Sequence, residues 1–335
     1  MAPGWETQPP KTFWDLLQLL IVPSILIGAL AFWNHSETAR GNHRADQQRQ
    51  DTAISVYIDK MSNLILHERL LRSKPGAAVR VVARTATLAT LRAVDRDRKA
   101  AVLHFLYDTG LLRLPSPPVL LKGADLTRAR LEEEKLGDAR LEGSDLSFAK
   151  LGGAYLARTN FKNADLEKAD LGDADLRNAH LEDADLSGAF LDGANLQDAH
   201  VEGARLAGAT FLSSHVRPYN KADLYRSGLT NVDLRSAHLD DANLTGATLV
   251  DADLRDATFI RANLHSAILR GADLRGADLS SADLREADFD HANLDKATLA
   301  GAKLRDATNL DLGRYITGLS LHDQKDFLAA EKGLS

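Results

Sequence analysis

The chain has 335 residues, a formal net charge of −6 and no cysteine. Without cysteine there are no disulfide staples, and the compartment is left open. The net charge hides two unlike parts: residues 1–120 hold 15 basic and 10 acidic side chains, and residues 121–309 hold 23 and 33, so the longer part is no basic nucleic-acid binder.

In chain order, a short tail (1–12) precedes an apolar stretch at 13–34. Leu16 to Trp33 carries no charge, with Gln18 and Ser24 as its polar side chains. About 18 to 20 helical residues cover a hydrocarbon core, so this segment predicts one transmembrane helix. Phe13 and Trp14 at one end, and Phe32 and Trp33 at the other, sit where interfacial aromatics belong. A cleaved signal peptide ending near Ala29-Leu30-Ala31 is the alternative; Lys11 as the sole basic residue beside Glu6 and Asp15 argues for the anchor. Arg40, Arg44 and Arg49 after the span outweigh Lys11 before it. The predicted topology is therefore single-pass, with the amino terminus outside and the remainder in the cytoplasm.

Residues 35–118 read as a small helical region. Ile54, Tyr57, Ile58, Met61, Leu64 and Ile65 recur at three-and-four spacing, one apolar face of a helix beginning near Thr52. A second helix is predicted from Ala78 to Val94 and a third from about Asp97 to Tyr107, stopped at Gly110. Arg113 to Pro118 forms a stiff link.

From 119 to 309 the chain repeats every five residues, with Leu or Phe at the centre and usually Ala two positions earlier. Centres run by fives from Leu126 to Val216 and again from Leu224 to Leu304, 19 and 17 units. An α-helix turns about 100° per residue and would scatter such leucines around its cylinder. A flat strand would send every second one into water. A chain that turns a corner every five residues gathers them all inside. Four sides make a coil, and about nine coils stacked at about 4.8 Å give a rod of about 43 Å.

Ala124-Asp125-Leu126, Ala164-Asp165-Leu166, Ala194-Asn195-Leu196, Ala242-Asn243-Leu244 and Ala277-Asp278-Leu279 resemble the pentapeptide-repeat family. That resemblance implies a mainly β fold, a right-handed quadrilateral β-helix, with the Leu or Phe and its preceding Ala inside. The family includes DNA-mimicking topoisomerase-protection proteins, secreted effectors and members without an assigned role. Tyr57-Ile-Asp-Lys-Met-Ser-Asn-Leu64 and Phe105-Leu-Tyr-Asp-Thr-Gly-Leu-Leu112 resemble a region that precedes the repeats in many bacterial members, which implies a bacterial inner-membrane setting. Solenoid ends need covering, so the helices read either as a cap or as a docking module. Residues 310–335 read as a carboxyl-terminal cap with a helix starting near Ser320. Family likeness allows a homodimer there through Tyr315, Ile316, Phe327 and Leu328.

No catalytic set, phosphate loop or metal spacing stands out, so neither an enzyme nor a cofactor is expected. His180 and His200, one coil apart, are expected to stack on one outer face. Asp125, Asp145, Asp165 and Asp185 lie 20 apart and form an acidic ladder, ended by Arg205 and continued as Gly228, Thr248 and Ile268. The coil mixes both signs and falls short of the DNA charge density of about one per 1.7 Å, so nucleic acid is not an expected partner. A break near 217–223 adds three residues to the period. It offers Arg217, Tyr219 and Lys221 as partner contacts, a tolerated insertion being the plainer alternative. The expected function is a membrane-tethered, non-enzymatic scaffold for a protein partner; the alternative is a DNA mimic that binds a topoisomerase.

Overall fold

The computed structural model describes residues 43–112, 117, 119–212 and 221–310. The expected membrane helix with Phe13, Trp14, Phe32 and Trp33 lies outside them. So do Arg217, Tyr219 and residues 311–335 of the expected cap. The single-pass inner-membrane placement is corrected: among the described residues no helix is long and apolar enough to cross a membrane. Helix α1 (His43–Leu66) has the length, at 24 residues, but Asp46, Arg49, Asp51, Asp59 and Lys60 interrupt it throughout.

Helix α1 begins nine residues before the predicted start. Residues 46–49 are solvent-exposed, and the polar sequence of the first turns carries no apolar period to read. Tyr57, Ile58, Met61, Leu64 and Ile65 are buried against α2 (Ala78–Ala93) and α3 (Arg96–Asp108). Asp95 caps α3 by accepting from the Arg98 N–H at 3.0 Å. Gly110, at φ 72°, ends it in a Schellman motif: Leu111 N–H reaches Leu106 O at 2.9 Å and Gly110 N–H reaches Tyr107 O at 3.0 Å.

Helix α3 then lies on the open edge of the first coil. Arg130 N–H donates to Arg96 O at 3.1 Å. Lys99, 7% exposed, reaches Asp125 at 2.8 Å and Thr127 O at 3.3 Å. Arg84 donates to Lys122 O at 2.9 Å. A coil edge otherwise presents unpaired backbone groups, and these contacts meet several of them.

The coil closes every 20 residues, with parallel bridges Asp125↔Asp145, Arg130↔Lys150, Lys135↔Tyr155 and Arg140↔Asn160 opening its four columns. Leu126 N–H donates to Asp145 O at 2.7 Å, and Asp145 N–H returns to Ala124 O at 2.9 Å. Among the described residues each side contributes an isolated bridge instead of a strand, so the expected mainly β fold is realised as rows of single-residue rungs. Corners follow directly: Ala129 N–H closes on Leu126 O at 3.0 Å, and Arg128, at φ 55°, takes the third place of a type II turn. Asp and Asn fill many equivalent places, such as Asp138 and Asn163, because they tolerate positive φ.

The centres and their alanines are buried along the coil, including Phe161, Phe211, Phe259 and Phe289, with Ala292 and Ala307 partly buried in its last turn. Where a hydroxyl replaces alanine it bonds a corner carbonyl: Ser144 to Leu141 O at 2.7 Å, Thr159 to Leu136 O at 2.9 Å, Ser227 to Leu224 O at 2.8 Å.

One expectation about register was wrong. Asn195 bridges Asp223, a step of 28 instead of 20, and Phe211 is followed by Leu224 as the next inward centre. The break therefore holds eight residues beyond a coil's need, not three. A five-residue period invites the error, because any apolar residue at the next multiple of five looks like another unit.

Candidate functional site

What the fold offers to a partner is its outer surface, where residues 20 apart stack in columns. The corrected register changes the acidic ladder. After Asp125, Asp145, Asp165, Asp185 and Arg205, the bridge column continues as Asp233, Asp253, Asp273 and Asn293, not as Gly228, Thr248 and Ile268. The ladder is longer than expected and also better neutralised.

An arginine two residues after the aspartate does this. Arg235 forks onto Asp233 at 2.8 and 2.7 Å, Arg255 onto Asp253 at 2.8 and 2.6 Å, and Arg275 onto Asp273 at 2.8 and 2.6 Å. Arg177 with Asp175 and Arg285 with Asp283 repeat the pair on another column. The tripeptide Asp-Leu-Arg was the sequence signal for it. In the earlier coils Asp125 pairs with Lys99, and Arg205 reaches Asp185 at 2.6 Å. Asp145 and Asp165 accept mainly from their own turns, from Ser147 N–H at 3.0 Å and Glu167 N–H at 2.9 Å.

These forks hold the Asp175, Asp233, Asp273 and Asp283 carboxyls below their ordinary value, with the arginine hydrogen bond as the largest cause. A depressed folded-state value gives stability that is present above the unfolded value and lost as pH falls through the folded one. Thermal unfolding should therefore change little from pH 7 to about 5, then fall steadily below about pH 4, where unfolded aspartate protonates. A melting temperature at pH 3 equal to that at pH 7 would show the forks contribute nothing.

His180 and His200 stack as expected, centroids 4.8 Å apart and rings 6° from parallel. Each Nδ1 faces the glutamate two residues on, Glu182 at 3.3 Å and Glu202 at 3.7 Å. Gly228 continues the column, and the Glu202 carboxylate occupies the space a side chain there would need. Among the described residues no group of three or more His, Asp or Glu is arranged to hold a metal. Lys221 is exposed and lies 3.7 Å from Asp241.

Sequence reasoning missed a cleft of about 500 Å³ where α3 meets the first coils, lined by Arg96, Arg128, Arg130, Glu132, Phe148 and Lys150. Phe148 is 41% exposed at a corner, with Arg128 over its ring at 5.5 Å and Lys168 at 5.4 Å. Tyr155 on the second coil and Phe190, two coils beyond Lys150, are further exposed aromatics. No linear pattern gathers these residues, because Arg96 arrives from the helical region.

Eight copies of a family model described as pentapeptide repeats match residues 139–178, 174–211, 237–276 and 272–308. HetL, a pentapeptide repeat protein involved in heterocyst differentiation regulation from the cyanobacterium Nostoc sp. strain PCC 7120, is 35% identical. The match covers 56% of this chain and 81% of HetL, with a TM-score of 0.37. The chain belongs to the pentapeptide-repeat family. Membership implies the right-handed sense of the β-helix. A pentapeptide repeat protein from the Arabidopsis thaliana thylakoid lumen is 31% identical over 32% of this chain and 71% of its own, with a TM-score of 0.19. Full-length QnrB1, a plasmid-mediated fluoroquinolone resistance protein, is 24% identical over 64% of this chain and 97% of its own, with a TM-score of 0.32. No curated protein matches the chain. These pentapeptide-repeat likenesses establish the family and not a shared activity.

Proposed function

We propose that this pentapeptide-repeat protein is a non-enzymatic interaction scaffold whose coil presents rigid outer faces to a protein partner. The observation that carries this reading is the division of labour along the repeat. Leu, Phe and Ala fill the interior, every coil is bonded to the next, and the outer positions differ in charge and aromaticity from column to column. A surface fixed in this way loses little conformational entropy on binding. Phe148, Tyr155 and Phe190 are its exposed aromatic anchors, of the kind that dominate interface energies. Arg217, Tyr219 and Lys221 are proposed as a second contact set.

A DNA mimic needs an acidic surface that stays uncompensated. The Arg235, Arg255 and Arg275 forks cancel the later half of the ladder, which argues against that alternative. The deciding experiment is crosslinking and affinity capture with the full chain, beside a Phe148→Asn/Tyr155→Ser/Phe190→Thr variant. A protein partner captured by the parent and reduced at least tenfold with the variant is the expected result. Recovery of DNA gyrase subunits, with inhibition of supercoiling by the purified chain, would move the assignment to mimicry. Recovery of the chain alone would remove the scaffold reading.

A further inference from the structure

We propose that the cleft between α3 and the first coils is a docking site for a carboxylate-rich, extended segment of a partner protein. The inference deepens the scaffold reading and rests on it. Its basis is a contrast in how arginines are held. Arg158, Arg177, Arg205, Arg235, Arg255, Arg261, Arg270, Arg275 and Arg285 each meet an aspartate at 2.6 to 2.8 Å. Arg128 does not; its guanidinium lies on the Phe148 ring, and no carboxylate pairs with it among the described residues.

Around Arg128 the cleft wall holds Arg96, Arg130 and Lys150 against the single carboxylate of Glu132. Asp97 holds Arg130 at 3.1 Å and stands 3.9 Å from Arg96, and Asp170 holds Lys150 at 3.1 Å. The surplus is therefore modest, centred on Arg128 and on the unused donors of its neighbours. These cations spread from α3 across the first two coils, and Lys168, itself paired with Glu167 at 2.7 Å, extends them to the third. At about 4.8 Å per coil that is about 10 Å, farther than one phosphate can bridge and suited to several carboxylates along one chain. Phe148 supplies an apolar edge for the peptide's stem atoms. Gly152 and Gly172 follow on the same flank without side chains, and the Glu133 side chain packs against Gly153, so the peptide's backbone is placed on the Lys150 side. Arg128 and Phe148 both sit at positive φ, 55° and 57°, so the corner backbone is already fixed before anything binds.

The test is fluorescence anisotropy of a labelled octaglutamate peptide titrated with the full chain at low salt. Saturable binding is expected, weakened at least tenfold in Arg128→Asn/Lys150→Gln, about fivefold in Phe148→Asn, and unchanged in Lys162→Gln on another face. Asparagine tolerates positive φ, so the corner variants keep their turn. Unchanged thermal unfolding in each variant would separate lost binding from lost fold. Equal binding by the parent and the double variant would overturn the assignment. So would displacement of the peptide by 10 mM inorganic phosphate at constant ionic strength, which marks a small-anion site. Tighter binding of a single-stranded 20-nucleotide DNA would overturn it too, in favour of nucleic acid. If a partner is still captured by the coil while the peptide fails to bind, the cleft assignment falls and the scaffold stands. If capture returns nothing, the scaffold falls, and the peptide titration still reads the cleft.

Discussion

Replacing Phe259 by alanine should destabilise the coil by about 3–5 kcal/mol, the range for emptying a buried aromatic site. The side chain is fully buried, and its column neighbours are Leu239 on one side and Leu279 on the other. Those neighbours cannot slide inward to fill the space. Phe259 N–H is tied to Asp278 O at 2.7 Å and Thr258 N–H to Ala237 O at 2.9 Å, so the wall stands while the interior empties. Phe259→Leu, which restores the commonest centre, should cost less than about 1.5 kcal/mol. In a solenoid each coil touches only its neighbours, so the damage should be local. Urea unfolding measures the loss, and native-state hydrogen exchange should show protection falling around residues 237–280 and holding near 150. A loss below about 1 kcal/mol would show an interior able to collapse.

Arg98→Met should cost about 2–3 kcal/mol, the second largest effect expected. Arg98 is 6% exposed and joins two helices: it reaches Asp51 of α1 at 2.6 Å and also pairs with Asp95, the cap of its own helix. Losing one member of a fully buried ion pair costs about 3–5 kcal/mol. Here Asp51 and Asp95 keep 46% and 35% side-chain exposure and can rehydrate, which places the loss at or below the lower end. Arg98→Lys should fall between, since an ammonium keeps the charge and loses the fork. Helical ellipticity should then melt ahead of the coil, because α3 still meets the coil through Lys99 and the Arg96 carbonyl. A single transition at the parent temperature would show that Arg98 is dispensable.

The coil was legible from sequence because its cause is local: a leucine every five residues has few ways to be buried. The three helices were legible for the same reason, and Gly110 marks the end of α3 in both readings. What stayed hidden depended on phase or on distance. Val216 sits five residues after Phe211 and so reads as a centre, which moved the later ladder onto Gly228, Thr248 and Ile268 when Asp233, Asp253 and Asp273 belong there. The Arg forks were written as Asp-Leu-Arg but carry no meaning until the turn folds the guanidinium back. Arg96 and Phe148 lie 52 residues apart, and only the seating of α3 on the first coil brings them to one cleft.

The 28-residue step has a consequence for heredity. All four columns return to phase after it, so the rod keeps no record of how many residues passed between Phe211 and Leu224. Duplication of one whole turn, or an insertion at one corner, leaves the remaining faces continuous. Such a molecule can be lengthened or shortened across generations in whole divisions, like a measuring rule, while the marks on each edge are rewritten one at a time.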